Sequence, residues 1–138
     1  MAEQRGVARQ RAEVMRVVGS HLAAEERVIA LLAFAVTPKR PKPPSRVREG
    51  IYQSYRRYRP LVITDRRIFV LDAARTPHPR AILAEFPFES VSIVDVVPRW
   101  FGQQRLFLDL PGVGTVPFDL GRHELDDLAR LRESMPRE

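Results

Sequence analysis

Side chains that could carry out catalysis or bind a metal are few and widely spaced in this chain of 138 residues. The three histidines, His21, His78 and His123, are far apart, and none has a second histidine or a carboxylate at the spacing that metal sites use. The sequence contains no cysteine, which excludes disulfides, thiolate nucleophiles and cysteine-based zinc sites. The sequence therefore offers neither a metal centre nor cysteine chemistry.

Two other short motifs also lack the geometry that catalysis needs. Asp126 and Asp127 are adjacent in a predicted helix, so their side chains point about 100° apart and cannot act as a facing acid and base. The stretch Gly112-Val113-Gly114 lacks the third glycine of a dinucleotide-binding loop and does not open a helix. We therefore expect that the protein is not an enzyme, and we predict no catalytic residue, no metal, no cofactor and no small-molecule substrate.

The net positive charge of the chain is concentrated in residues 37–60. This segment holds eight basic residues and one acidic residue, 8 − 1 = +7, whereas the net charge of the whole chain is +6. Four prolines within residues 37–45 predict an extended, exposed loop. Such a loop would attract an anionic membrane with about 1 kcal/mol per basic residue near the surface. The candidate anion- or lipid-binding residues are Lys39, Arg40, Lys42, Arg46, Arg48, Arg56, Arg57 and Arg59.

Aromatic residues define the candidate partner-binding positions, which are Tyr52, Tyr55, Tyr58, Trp100 and Phe101. Arginines lie between and after the tyrosines, and this mixture can stack bases and neutralise phosphates, or lie at a membrane interface. The alternative is a packed element that buries the tyrosine rings and points arginine at water. Trp100 and Phe101 fall in a predicted hairpin tip, where they either cover one end of the domain or dock a partner or a bilayer.

The apolar pattern predicts mostly strands. Two runs rich in β-branched and aromatic residues, 61–63 and 68–71, flank the polar Thr64-Asp65-Arg66-Arg67, as in a tight hairpin. Further strands are predicted at 82–88, 91–97, 105–110 and 113–120, and residues 28–36 favour a strand over an alanine-rich helix. A final helix over 121–135 has a predicted apolar face of Leu125, Leu128, Ala129, Leu131 and Met135.

The amino-terminal residues predict a separate amphipathic helix over 3–19, with Val7, Val14, Met15 and Val18 on its apolar face. This helix either lies on the domain or binds another chain. We therefore divide the chain into an amino-terminal helix, residues 1–21, and a domain, residues 22–138. The longest apolar run has nine residues, fewer than the ~20 of a membrane-spanning helix, and no signal peptide is evident. We expect a cytoplasmic protein, with a peripheral position on the membrane as the second option.

The central hairpin and the strand that follows it carry a resemblance to a known family. The sequence Val62-Ile63-Thr64-Asp65-Arg66-Arg67-Ile68-Phe69-Val70, followed by Phe86-Pro87-Phe88-Glu89-Ser90-Val91-Ser92-Ile93-Val94, resembles the bacterial pleckstrin-homology-like domains. This resemblance implies a mainly β fold with α elements, an antiparallel barrel or sandwich of about seven strands capped by a carboxy-terminal helix. It also implies a binding scaffold for proteins, sometimes as ring-like homo-oligomers. Eukaryotic relatives bind phosphoinositide headgroups at the loop that corresponds to residues 37–60.

These observations lead to a non-catalytic binding module as the predicted function. Our first hypothesis is protein–protein interaction or homo-oligomerisation. The first alternative is peripheral binding to anionic membrane lipid through residues 37–60. The second alternative is binding of RNA or single-stranded DNA through residues 52–59, which predicts an affinity that falls steeply with salt. Among partners, a protein or a second copy ranks first, an anionic membrane second and nucleic acid third.

Overall fold

The structure, a computed structural model, describes residues 2–38, 57–73 and 78–135. Two α-helices and nine strands make up these ranges, with short 3₁₀ turns at Phe88–Ser90, Trp100–Gly102 and Arg122–Glu124. The elements in chain order are α1 (Ala2–Gly19), β1 (Val28–Leu32), β2 (Val36–Thr37), β3 (Arg57–Tyr58), β4 (Leu61–Thr64), β5 (Arg67–Asp72), β6 (Ala81–Pro87), β7 (Ser92–Pro98), β8 (Gln104–Leu110), β9 (Gly114–Leu120) and α2 (Leu125–Ser134).

The strands form two antiparallel sheets, as the mainly β prediction with two helices expected. The first sheet has the order β1-β4-β5-β6, and the second has the order β3-β2-β9-β8-β7. The prediction of a closed barrel is wrong. Each sheet keeps two edge strands, β1 and β6 in the first sheet and β3 and β7 in the second, so the sheets are not closed into a barrel. The 3₁₀ turn Phe88–Ser90 carries the chain from one sheet to the other, so β6 and β7 become edge strands of different sheets.

Residues 28–36 form a strand at both ends and a turn in the middle, so the strand prediction is confirmed except at 33–35. β1 pairs with β4 in the first sheet, whereas β2 pairs with β9 in the second. The chain changes sheets again between β3 and β4. The described ranges hold nine strands against about seven predicted, because residues 28–36 form two strands and the predicted loop contributes β3. Thr37 pairs with Arg57, so the predicted loop begins and ends in strands, and its residues 39–56 lie outside the described ranges.

The core lies between the two sheets and is closed by α2. Alternate residues of both sheets meet there, including Ile63 and Ile68 of the first sheet and Leu106 and Phe118 of the second. The predicted apolar face of α2 is confirmed for three of its residues and wrong for two. The three buried residues are Leu128, Leu131 and Met135, whereas Leu125 and Ala129 are exposed. The buried stripe instead begins with the carboxyl groups of Glu124 and Asp127.

Helix α1 covers the outer face of the first sheet. Val14 and Val18 are fully buried and pack with Val62, Phe69 and Leu71 in a second apolar cluster. This contact explains why β4 and β5 are apolar on both faces, which a half-solvated antiparallel strand would not be. The helix therefore lies on the domain, as the first of our two alternatives expected. Within the described residues, no helix is both long enough and apolar enough to cross a membrane.

Replacing Val18 with alanine should lower the free energy of unfolding by about 1–2 kcal/mol, because each buried methyl-sized group contributes about 0.8 kcal/mol. Urea denaturation followed by far-UV circular dichroism measures this loss. Arg16, exposed on the same helix, provides the control: Arg16→Ala should change the free energy by less than about 0.5 kcal/mol. Equal effects of the two substitutions would contradict the packing of α1 on the sheet.

Candidate binding surface

The turn between β7 and β8 is closed by backbone hydrogen bonds. Pro98 pairs with Gln104 at the end of the ladder, the Arg99 N–H donates to the Gln103 carbonyl at 2.7 Å, and the Gln103 N–H donates to the Trp100 carbonyl at 3.1 Å. Phe101 has a φ of 56°, a left-handed conformation that costs a non-glycine residue on the order of 1–3 kcal/mol. The backbone therefore holds the two aromatic residues of the turn in a fixed, strained arrangement.

Both aromatic side chains point into solvent, since Trp100 is 76% exposed and Phe101 is 89% exposed. The described chain has four other exposed large hydrophobic residues, and two of these, Val97 and Leu125, lie near the turn. Val97 ends the same hairpin, and Leu125 lines a cavity with Gln104, the partner of Pro98. We call Trp100, Phe101 and Leu125 the tip surface. Val97 pairs with Arg105 and lies on the outer face of the second sheet, with the Arg105–Asp119 ion pair. The alternative in which Trp100 and Phe101 cover one end of the domain does not fit this exposure.

Two cavities flank the tip surface. The first, of about 410 Å³, is lined by Phe101, Gln103, Gly121, Arg122 and His123. The second, of about 390 Å³, is lined by Gln104, Leu125, Leu128, Ala129 and Arg132. A β-carbon built on Gly102 would lie 3.7 Å from Arg122 Cβ, so the turn packs directly beside the start of α2. Apolar side chains at the centre with amide and guanidinium groups around them are typical of protein interfaces.

The two described arginines of the basic segment point inward, towards Asp72. The Arg59 side chain is 1% exposed, and its Nη1 lies 2.9 Å from Asp72 Oδ1, with Arg57 Nη2 at 3.7 Å from the same oxygen. Arg80 approaches the other oxygen at 3.1 Å. The β4–β5 register, in which Leu61 pairs with Val70, brings positions 59 and 72 opposite each other. This internal ion pair leaves Arg59 little surface with which to reach an anion outside the domain.

Of the remaining candidates of the basic segment, the structure describes Tyr58. Eight candidate residues lie outside the described ranges, and they are Lys39, Arg40, Lys42, Arg46, Arg48, Tyr52, Tyr55 and Arg56. Tyr58 is half-buried in β3, beside Val36, and lines a small cavity of about 130 Å³ with Gln103. Of the five singled-out positions that the structure describes, Trp100 and Phe101 are the two that lie together on an exposed surface.

The polar turn of the central hairpin forms a buried network, which we call the turn cluster: Glu26, Thr64 and Arg67. The Glu26 side chain has no exposed surface and accepts hydrogen bonds from Arg67 Nη2 at 2.7 Å, from Arg67 Nε at 2.9 Å and from the Thr64 hydroxyl. Arg67 also contacts Glu85 at 2.8 Å and donates to the His21 carbonyl at 2.6 Å. The hydrogen bonds from Arg67, aided by that from Thr64, outweigh burial and lower the pKa of Glu26 to about 2. The turn cluster therefore ties residues 21–27 to the hairpin.

Two carboxyl groups at the start of α2 accept hydrogen bonds from backbone N–H groups at the outer edge of β1 and in the turn that follows it. The Leu31 N–H donates to Asp127 Oδ1 at 3.0 Å, and the Phe34 N–H donates to Glu124 Oε2 at 3.1 Å. Arg11 of α1 completes the contact, with Nη1 at 2.7 Å from Asp127 Oδ2 and at 3.2 Å from the Leu31 carbonyl. An edge strand covered in this way cannot pair with another chain. Asp127 therefore joins α2, β1 and α1 through these contacts.

The two carboxyl groups at this edge have opposite pKa shifts. Burial raises the pKa of Glu124 to about 7, because the hydrogen bonds from Phe34 and Gly121 offset only part of the desolvation. Burial also acts to raise the pKa of Asp127, but hydrogen bonds from Arg11, the Leu31 N–H and Arg130 outweigh it and hold this pKa below its usual value. Sequence reasoning missed both residues, since a carboxylate in a helix is normally assigned to the solvent face.

No protein-family model and no curated protein matches this sequence. The resemblance to pleckstrin-homology-like domains therefore stays a prediction. The structure shows two antiparallel sheets and a carboxy-terminal helix.

The structure brings two of the histidines to one cavity, of about 410 Å³, which His78 and His123 line together with Phe34, and His21 does not line it. His21 and His123 are exposed, and His78 Nδ1 lies 2.9 Å from a Glu13 carboxylate oxygen, a hydrogen bond that lowers the pKa of Glu13. Across residues 2–38, 57–73 and 78–135, no three histidine, aspartate or glutamate side chains group as a metal site. The tip surface is consequently the strongest candidate for a functional site among the described residues.

Proposed function

We propose that this chain is a non-catalytic protein-binding module whose partner docks on the tip surface. The observation that carries the proposal is the exposure of Trp100 and Phe101, 76% and 89%, on a turn closed by its own hydrogen bonds. Covering both rings would remove roughly 350 Å² of apolar surface from water, worth about 9 kcal/mol before the costs of association. Two such residues are sufficient to anchor an interface.

The fixed backbone of the turn supports a binding role. A flexible loop would lose conformational freedom on binding, whereas the closed turn has already lost it. Phe101 keeps a left-handed conformation although its side chain is almost entirely in solvent, so packing within its own domain does not explain the strain. Strain that is retained at an exposed aromatic residue is the pattern expected of a residue positioned for a ligand.

A protein fits this surface better than a flat bilayer does, because cavities of about 410 and 390 Å³ lie on either side of the hairpin. Side chains of a partner can fill these cavities, and a bilayer surface cannot. The lipid and nucleic-acid alternatives depend instead on the basic segment. Most of that segment lies outside the described ranges, and substitutions at Trp100 and Phe101 test the tip surface without altering any of its residues.

Selection of random peptides displayed on phage, with the full chain as bait, tests the proposal. Selected peptides should bind the wild-type chain and the Val28→Ser variant equally, because Val28 is an exposed hydrophobic residue in another sheet. They should bind Trp100→Ser at least tenfold more weakly. The chain has a single tryptophan, so a blue shift of its emission on binding reports directly on Trp100. A selection without enrichment, or peptides that bind Trp100→Ser unchanged, would overturn the proposal.

Replacing Phe101 with glycine should separate binding from stability. Glycine adopts φ near 56° without strain, so we expect the free energy of unfolding to stay equal or rise by up to about 1 kcal/mol, while the selected peptides lose affinity. Gly102→Ala is the matched control: at a φ of 77° the alanine is strained, and the free energy should fall by about 1 kcal/mol. A Phe101→Gly protein that is clearly less stable would show that the ring packs on its own domain.

A further inference from the structure

Basic side chains surround the tip surface. Arg99 is exposed and directly precedes Trp100, Arg122 and His123 line the first cavity, and Arg132 lines the second. Among the described residues that line these two cavities, none is an aspartate or a glutamate. The apolar centre is therefore surrounded by positive charge on both sides of the hairpin.

The described acidic residues nearest the tip surface line neither of these two cavities, although Asp119 lines a third cavity with Gln103 and Gly121. Asp119 accepts two hydrogen bonds from Arg105, at 2.6 and 3.1 Å, on the outer face of the second sheet. Glu124 is buried against Phe34, and Asp126 is exposed on α2 but lines neither cavity. A basic residue at the rim of an interface selects partners of opposite charge and accelerates their encounter.

We infer that the tip surface binds an acidic segment of a partner protein. Apolar side chains of this segment cover Trp100, Phe101 and Leu125, and carboxylates beside them face Arg99 and Arg132. The inference rests on the proposed function and adds the charge and polarity of the partner. Gln103 and Gln104, one at each cavity, supply amide groups that can hydrogen-bond the backbone of the bound segment. An anionic bilayer shares the charge but offers neither a backbone nor side chains that fill the cavities.

Three synthetic peptide pools test the inference with the full chain. The pools share the same apolar positions and carry glutamate, glutamine or lysine at the flanking positions, and Trp100 emission follows the titration. The glutamate pool should bind at least tenfold more tightly than the glutamine pool, with the lysine pool weakest, and salt should reduce the difference. Arg99→Gln and Arg132→Gln should each lower the affinity for the glutamate pool roughly tenfold. Arg66→Gln, at an exposed position on the other sheet, should leave it unchanged.

Each other result has a distinct meaning. If the glutamine or lysine pool binds as tightly as the glutamate pool and Phe101→Gly, which keeps the tryptophan signal, abolishes this binding, the inference is overturned and the proposed function stands. If no pool binds but Trp100 emission shifts with vesicles of phosphatidylcholine and phosphatidylserine, both are overturned in favour of a bilayer. If neither peptides nor vesicles change the emission, both are overturned without a replacement.

Discussion

Replacing Arg67 with methionine is expected to lower the free energy of unfolding by about 3–5 kcal/mol, a large share of the stability of a domain of this size. The reason is the fully buried carboxylate of Glu26, which receives two of its hydrogen bonds from Arg67. Without the guanidinium, this charge remains buried with only the Thr64 hydroxyl and the Ala23 N–H as donors. Urea denaturation followed by far-UV circular dichroism measures the loss.

The neighbouring arginine provides the control for this prediction. Arg66→Met changes the same residue type in the same turn, but the Arg66 side chain is exposed, so the change should stay within about 0.5 kcal/mol. In an Arg67→Met chain, Glu26→Gln should recover part of the loss, because it removes the uncompensated charge. Arg67→Met and Arg66→Met proteins of equal stability would contradict the structural role of the turn cluster.

The turn cluster also predicts acid sensitivity. The pKa of Glu26 is about 2 in the folded protein against an ordinary value of 4.5, so the carboxylate contributes stability above about pH 4.5. This contribution is lost as the pH falls from 4.5 towards 2, because the unfolded chain then binds the proton that the folded chain excludes. The Arg67→Met protein lacks most of this pH dependence, since its Glu26 has lost the partner that lowers the pKa.

The central hairpin shows which part of this fold is readable from the sequence. The runs at 61–63 and 68–71 with polar residues between them predict β4 and β5 to within one residue. The local pattern also implies the Arg59–Asp72 pair, because both residues lie at equal distances from the turn. Glu26 could not be predicted as the partner of Arg67, since it lies 41 positions earlier and meets the hairpin only in the folded chain.

The candidate site also combines features that the local sequence predicts with features that depend on contacts between distant residues. Trp100 and Phe101 could be singled out because two adjacent large aromatic residues in a turn are unusual, and the structure exposes both. Leu125 was assigned to the core by helical spacing, and its position on the tip surface depends on how α2 is rotated against β1. Glu124 and Asp127 set that rotation by accepting hydrogen bonds from the edge of β1. Periodicity counts a carboxylate as outward-facing, so it could not detect a helix docked through its acidic residues.

Replacing Glu124 with glutamine is expected to change the pH dependence of stability. The pKa of this buried carboxyl group is about 7 in the folded protein and 4.5 in the unfolded chain, so the folded protein binds more protons between these values. Stability therefore falls as the pH rises from 4.5 through 7, because the carboxyl group must either remain protonated or ionise without water. Glutamine stays neutral, and its carbonyl oxygen can still accept the Phe34 N–H.

The difference in free energy of unfolding between Glu124→Gln and the wild type should shift in favour of the variant by about 2–3 kcal/mol between pH 5 and pH 8. Far-UV circular dichroism is the appropriate probe, since the single tryptophan is already exposed in the folded state and its emission should therefore change little on unfolding. Glu133, exposed on the same helix, provides the control, and Glu133→Gln should show no such shift. A Glu124→Gln effect that is constant across this pH range would mean that the carboxylate is ionised at pH 5 in the folded protein, and that the edge of β1 compensates its burial completely.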